Sequence, residues 1–139
     1  MTIRKVMRAE PLAVAPDEPL INAVEATASA RIRHLPVVKD DDTLVGMLTE
    51  NDIKHATPSP LIEGNEAEYR RILHETPCGR VMRRDPVTAS PNQKLSDVVR
   101  LLVEHKIGAV PIVEGKKLVG IVSEVDILQT FLQILEVIE

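Results

Sequence analysis

Two hydroxyl–carboxylate pairs of equal spacing hold the chemistry available to this chain. Thr49 precedes Asp52 by three residues, and Ser123 precedes Asp126 by three. A hydroxyl can donate to a phosphate oxygen, and a carboxylate can accept from two sugar hydroxyls. At a helix start, both side chains would flank free backbone N–H groups and the positive end of the dipole, where a phosphate is stabilised. The same spacing also describes a capping box, which needs no ligand. Spacing alone leaves both readings open. No catalytic constellation accompanies the pairs. His34, His55, His74 and His105 are scattered, and none of the six glycines falls in a phosphate-loop pattern. Cys78 is the lone cysteine, which excludes an internal disulfide and a cysteine-based zinc cluster, and an inert thiol is expected.

The elements that must position these residues are written twice. Residues 32–53 contain Leu35-Pro-Val-Val38, Leu44-Val-Gly-Met-Leu48 and then Thr49 to Asp52. Residues 107–127 contain Val110-Pro-Ile-Val113, Leu118-Val-Gly-Ile-Val122 and then Ser123 to Asp126. Pro36 falls on Pro111 at a spacing of 75 (111 − 36), and Gly46 on Gly120 at 74 (120 − 46). The slip lies in the polar loop between the runs, where hairpins tolerate length changes. The β-branched runs predict a strand pair in each repeat, followed by a helix opening at Thr49 or Ser123. Proline belongs at the start or edge of a strand, and mid-strand glycine marks a close approach. At Gly46 and Gly120 that approach is by another backbone or by a ligand, and packing of one repeat on the other is the favoured reading.

Upstream, Val6-Met7 and Pro11 match Val81-Met82 and Pro86. Leu12–Ala15 and Val87–Ser90, bounded by prolines, read as short extended segments. A helix follows each. Leu20, Ala23, Val24, Thr27 and Ala28 mark one apolar stripe; Leu95, Val98, Val99, Leu102 and Val103 mark the other. In the second repeat, Ser90, Pro91 and Gln93 predict the helix start, as N-cap, first residue and capping-box partner. Residues 57–80 read as a linker insert carrying a helix within Leu61 to His74. The tail from Ile127 to Ile138 is apolar at most positions, so it calls for cover on more than one face and predicts a homodimer. The domain reading is a first repeat over 1–56, the insert over 57–80, and a second repeat with the apolar helix over 81–139.

Composition narrows the function classes. With 17 basic and 21 acidic residues the net charge is −4, against a nucleic-acid footprint. Tyr69 and Phe131 are the only aromatics, against a base-stacking platform. No apolar run is long enough to span a membrane, and the N-terminus lacks a signal-peptide pattern. A cytoplasmic protein is expected.

The paired phrases, with their Val-Met-x-x-x-Pro openings, resemble two cystathionine-β-synthase (CBS) domains in tandem, a Bateman module. The resemblance covers nearly the whole chain outside the insert. It implies an α+β fold of two βαββα repeats related by a pseudo-twofold, with their sheets packed together. It implies a homodimer, no enzymatic activity, no required cofactor or metal, and clefts between the repeats that sense an adenosine-type ligand: AMP, ADP, ATP or S-adenosylmethionine. A regulated protein partner is implied as well. The ribose aspartate of the family maps onto Asp52 and Asp126, and its phosphate-contacting hydroxyl onto Thr49 and Ser123. Backbone contacts to adenine map near Val14 and Ala15, and near Thr88 and Ala89. In the gamma subunit of AMP-activated protein kinase, a basic pair before the Leu-Pro-Val-type strand holds phosphates. Arg33 and His34 match it, whereas the second repeat has Gly108 and Ala109. The alternative is an interaction or dimerisation module whose clefts are empty and whose hydroxyl–carboxylate pairs are caps.

Overall fold

The computed structural model describes all 139 residues. In chain order the elements are β1 (Arg8–Ala9), α1 (Leu20–Ala30), β2 (His34–Lys39), β3 (Thr43–Thr49), α2 (Glu50–Ala56), α3 (Glu66–Glu75), α4 (Cys78–Val81), β4 (Arg83–Arg84), α5 (Leu95–His105), β5 (Ala109–Glu114), β6 (Lys117–Ser123) and α6 (Glu124–Ile138). A 3-10 turn at Ile3–Lys5 precedes β1. The class is α+β with antiparallel pairing, and the strand pairs, central helices and closing helices all fall where the doubled phrase requires.

The chain divides into two compact units: Leu12–Asp85, and Met1–Pro11 together with Pro86–Glu139. The units do not follow the sequence repeats. β1 belongs to the first phrase but pairs with β6; β4 belongs to the second phrase but pairs with β3. Two-residue strands have no hydrophobic pattern from which this exchange could be read.

In the Leu12–Asp85 unit, β2 and β3 form a hairpin with Pro36 opposite Met47 and Val37 opposite Gly46. Val14 bridges Val37 in parallel on the other edge of β2. Leu20, Ala23, Leu35, Val37, Leu48, Ile53, Leu73 and Cys78 fill the core. The stripe on α1 is confirmed at Leu20, Ala23 and Thr27, which are buried. In the other unit, β5 and β6 repeat the hairpin with Pro111 opposite Ile121, and Ala89 bridges Ile112. Ile3, Val98, Leu102, Val110, Ile112 and Val122 fill that core. The loop that absorbs the one-residue slip is a 3-10 turn in the first hairpin, with Asp41 and Asp42 at positive φ. The second hairpin turns at Gly115 (φ 64°).

One helix start lies later than the sequence predicts. α5 begins at Leu95, not at Pro91. Ser90 N–H donates to Gln93 Oε1 (2.7 Å) as expected of a box, but the Pro91 and Gln93 carbonyls accept from Arg4 and Ile3 N–H (3.0 Å each). Carbonyls taken by the incoming N-terminal segment cannot seed a helix. The cap of α5 is instead at Lys94, whose N–H donates to Asp97. The helix in the insert starts at Glu66, and Arg71 holds it through ion pairs to Glu68 and Glu75. Residues 77–80 also have counterparts. The Thr2–Lys94 and Pro19–Pro77 bridges relate the chain ends by the same 75 (77 − 2 and 94 − 19), so Cys78 stands where Ile3 does.

Candidate functional site

Thr49 ends β3 and caps α2. Its hydroxyl accepts from Asp52 N–H (3.0 Å), and its own N–H donates to Asp52 Oδ2 (3.0 Å), a complete capping box. That fixes the carboxylate where only 8% of the side chain is exposed. Its second oxygen, Oδ1, accepts from Arg83 Nε–H at 3.0 Å, while 71% of the Arg83 side chain remains exposed. Arg83 reaches this place because β4 lies against β3, with Met47 opposite Arg83 and Gly46 opposite Arg84. Gly46 makes that approach possible. A Cβ there would stand 2.6 Å from Met82 Sδ and 2.7 Å from the Arg83 carbonyl oxygen. The glycine thus marks packing of the second phrase's opening on the first phrase's strand, as expected.

The other unit repeats the arrangement. Ser123 N–H and Oγ–H donate to Asp126 Oδ2 (2.9 and 3.0 Å), and Asp126 N–H donates to Ser123 Oγ (3.4 Å). Arg8 Nε–H donates to Asp126 Oδ1 (2.9 Å), with the carboxylate 6% and the arginine 51% exposed. Gly120 admits β1, its Cβ position lying 2.6 Å from Met7 Sδ. Buried carboxylates need such partners, since an unpaired buried charge is costly.

The structure gathers some of the sequence-predicted residues and separates others. His34 is opposite Thr49 across the β2–β3 pair, and the Arg33 carbonyl accepts from Glu50 N–H (2.9 Å), so both adjoin the Asp52 cluster. In the equivalent places Ala109 faces Ser123, and the Gly108 carbonyl accepts from Glu124 N–H (2.9 Å). These bonds, with the caps, occupy the first and third N–H of each helix, so the expected row of free N–H donors is shortened. Val14 N–H donates to the Pro36 carbonyl (3.1 Å) and its carbonyl accepts from Val38 (2.9 Å); Ala89 is tied in the same way to Pro111 (3.3 Å) and Val113 (2.9 Å). Both backbone groups of Val14 and Ala89 are therefore spent on the strand. Ala15 N–H is taken by the Glu18 carboxylate, and Thr88 is exposed. Val14 and Ala89 are equivalent in the fold, so the counterpart of Thr88 in the first repeat is Ala13 rather than Val14.

Arg8 and Arg83 are the members that sequence reasoning missed. The signal was present: arginine follows methionine in both openings, Val6-Met-Arg8 and Val81-Met-Arg83. Cys78 is fully buried, its Sγ–H directed at the Pro19 carbonyl (3.7 Å). Burial, and secondarily the Glu18 charge, pushes its pKa up to about 11, the state of an unreactive thiol. A concavity of about 550 Å³ also lies in the Leu12–Asp85 unit, between α1, α2 and Tyr69 of the insert, and none of the predicted site residues lines it.

Comparison with known proteins agrees with this frame. The family model for the CBS domain matches residues 3–59 and 78–133. Hypoxic response protein 1 of Mycobacterium tuberculosis is 30% identical over 126 residues, 91% of this chain and 82% of its own length. The crystal structure of CBSX2 of Arabidopsis thaliana in complex with AMP superposes with a TM-score of 0.79 at 25% identity, covering 96% of this chain and 97% of that one. The CBS domain pair of MJ0100 in complex with 5′-methylthioadenosine and S-adenosyl-L-methionine has a TM-score of 0.77 at 23% identity, covering 94% and 99%. The chain belongs to the CBS domain family, with two CBS repeats. No helix is long and apolar enough to cross a membrane.

Proposed function

We propose that the chain is a non-catalytic regulatory module, in the cytoplasm, that takes an adenosine-type ligand at the Asp52 and Asp126 clusters. The observation that carries this reading is the state of the two carboxylates. Each is buried, fixed by a hydroxyl-bearing cap, and held by a charged partner, and each still has acceptor capacity, since a carboxylate offers about four lone-pair sites. At Asp52 two of these sites remain for two sugar hydroxyls, and at Asp126, which also accepts from the Ser123 hydroxyl, one remains. The AMP complex of CBSX2 supports the ligand class. AMP, ADP, ATP and S-adenosylmethionine all present the required ribose diol. Thermal-shift titration with these ligands tests the reading: a ligand at about 100 times its Kd adds roughly 2.7 kcal/mol of stability. No shift with any of them, together with no nucleotide released from the purified protein on denaturation, would leave the clusters as helix caps.

The module acts as a homodimer in this reading, through α6, and passes its signal to a regulated protein. Leu128, Phe131, Leu132, Ile134, Val137 and Ile138 are all exposed on that helix, more apolar surface than a single surface helix ordinarily leaves uncovered. This observation also favours the second reading, a dimerisation module without ligand. Sedimentation of the wild type and of Leu128→Asp and Leu132→Asp checks the dimer. A monomeric wild type, or variants that remain fully dimeric, would remove α6 from the interface.

A further inference from the structure

Both arginines hold their aspartate through Nε alone. A guanidinium has five N–H donors, so the four on its terminal nitrogens are not spent on the carboxylate. Both side chains are more than half exposed, although the carboxylates they hold are buried. The capping boxes already fix the aspartates, and a single N–H of each arginine pairs the remaining carboxylate oxygen. Pairing the buried charge therefore leaves the four terminal N–H groups of each arginine unaccounted for.

We infer that Arg83 and Arg8 are the anion contacts of the two clusters and select a phosphorylated ligand. This rests on the adenosine-type reading of the same sites. The carboxylate that receives the ribose hydroxyls anchors the guanidinium at Nε and restrains its plane. The terminal N–H groups are then presented beside the sugar, where a 5′-phosphate leaves the ribose. Forked donors of this kind suit phosphate oxygens and make strong charge-assisted bonds. A sulfonium ligand such as S-adenosylmethionine offers no phosphate there and would bring a second positive charge. Both clusters then have a phosphate contact, whereas the Arg33–His34 pair adjoins only one.

Calorimetric titration of AMP and of adenosine into the wild type, Arg8→Gln, Arg83→Gln and the double variant tests this, at low and moderate salt. AMP affinity is expected to fall about 10- to 100-fold per site, the size of a lost charge-assisted bond, with adenosine changed less than about twofold and a shallower salt dependence for AMP. Arg8→Lys and Arg83→Lys keep the charge but lose the fork, and should lie between. These also serve if a Gln variant melts early. Equal losses for AMP and adenosine would mean that the arginines only position the aspartates, and unchanged AMP binding would remove them from the site. Either result overturns the inference while the ribose reading stands. A wild type that binds neither compound overturns the ribose reading itself, and the inference with it.

Discussion

At the Asp52 cluster the residues leading into the strand are Arg33 and His34; at the Asp126 cluster they are Gly108 and Ala109. Behind that difference the two places are built alike. Each has a hydroxyl cap, a buried aspartate at the third helical position, an arginine bonded to it through Nε from the adjoining short strand, and a glycine that admits that strand. The helices beyond the caps also diverge. α2 stops after seven residues and runs into the insert, whereas α6 continues for 15 residues and exposes an apolar face. The fold must keep the cap, the ion pair and the close approach. Each copy is free to vary the charge at the rim and the use of the outgoing helix.

The largest effect is expected where the shared frame is tightest. At Gly46 an added Cβ meets a backbone carbonyl at 2.7 Å; at Gly120 the corresponding carbonyl lies at 3.1 Å, and the nearer neighbour is a flexible methionine sulfur. A backbone cannot step aside as a thioether can. Gly46→Ala should cost about 2–3 kcal/mol, Gly120→Ala about 1 kcal/mol, within the range for overpacking. Urea denaturation of both variants measures it. Equal costs would show that the two approaches are not as different as the distances say.

Ligand binding tests the likeness next. Asp52→Ala and Asp126→Ala each remove a carboxylate that accepts several bonds. Each should weaken AMP and adenosine together at its own cluster, roughly 10- to 150-fold, from about 1.5–3 kcal/mol per charged hydrogen bond. Each should also cost about 1 kcal/mol of stability as a lost cap. If the folded variants bind within threefold of wild type, the aspartates are caps and nothing more.

Legibility from the sequence tracks the length of each signal. The hairpins, the Thr49 and Ser123 caps and most of the α1 and α5 stripes were legible, because several residues repeat in register at 74 or 75, whereas Ala28 and Val103, at the ends of their stripes, are exposed. The exchange of β1 and β4 was not, because two-residue strands carry no periodicity. The start of α5 was misplaced because Ser90, Pro91 and Gln93 have the right types, and only tertiary bonds from Ile3 and Arg4 consume the carbonyls a helix would need. Cys78 read as the end of a linker because its counterpart is Ile3, a different residue type, and one buried position cannot declare itself. The arginines were in plain view at matched places, but exposed charges usually mean solvent.

Cys78 and Ile3 give the third contrast, between one copy that can titrate and one that cannot. With the folded pKa raised to about 11, the thiol stays protonated in the native state while the unfolded chain ionises at the ordinary value near 8.5. The associated stability is therefore complete below about pH 8.5 and is lost as the pH rises toward 11. Cys78→Val should change stability at pH 7 by less than about 1 kcal/mol and should flatten the alkaline limb between about pH 9 and 11. A thiol reagent should label the native wild type slowly and the denatured chain at once. Fast native labelling would contradict the burial.

The smallest effect concerns the rim itself. Arg33 is exposed and adjoins the Asp52 cluster through its backbone bond to Glu50, so its attraction for a phosphate acts through solvent and is screened by salt. Exposed pairs contribute about 0.2–1 kcal/mol, which corresponds to at most roughly fivefold in affinity. Arg33→Ala should weaken AMP by about two- to fivefold at the Asp52 cluster, leave the Asp126 cluster alone and leave adenosine alone at both. The reverse change is the sharper experiment. Gly108→Arg with Ala109→His gives the Asp126 cluster the rim it lacks. Ala109 is buried opposite Ser123, so the histidine costs some stability there, and Gly108→Arg alone is the companion variant. Titrating AMP into each graft on an Asp52→Ala background isolates the second cluster. A gain of about two- to fivefold for AMP and none for adenosine would make the rim the cause of the asymmetry. No gain from either graft would assign the difference between the clusters to something other than the charge at 33 and 34.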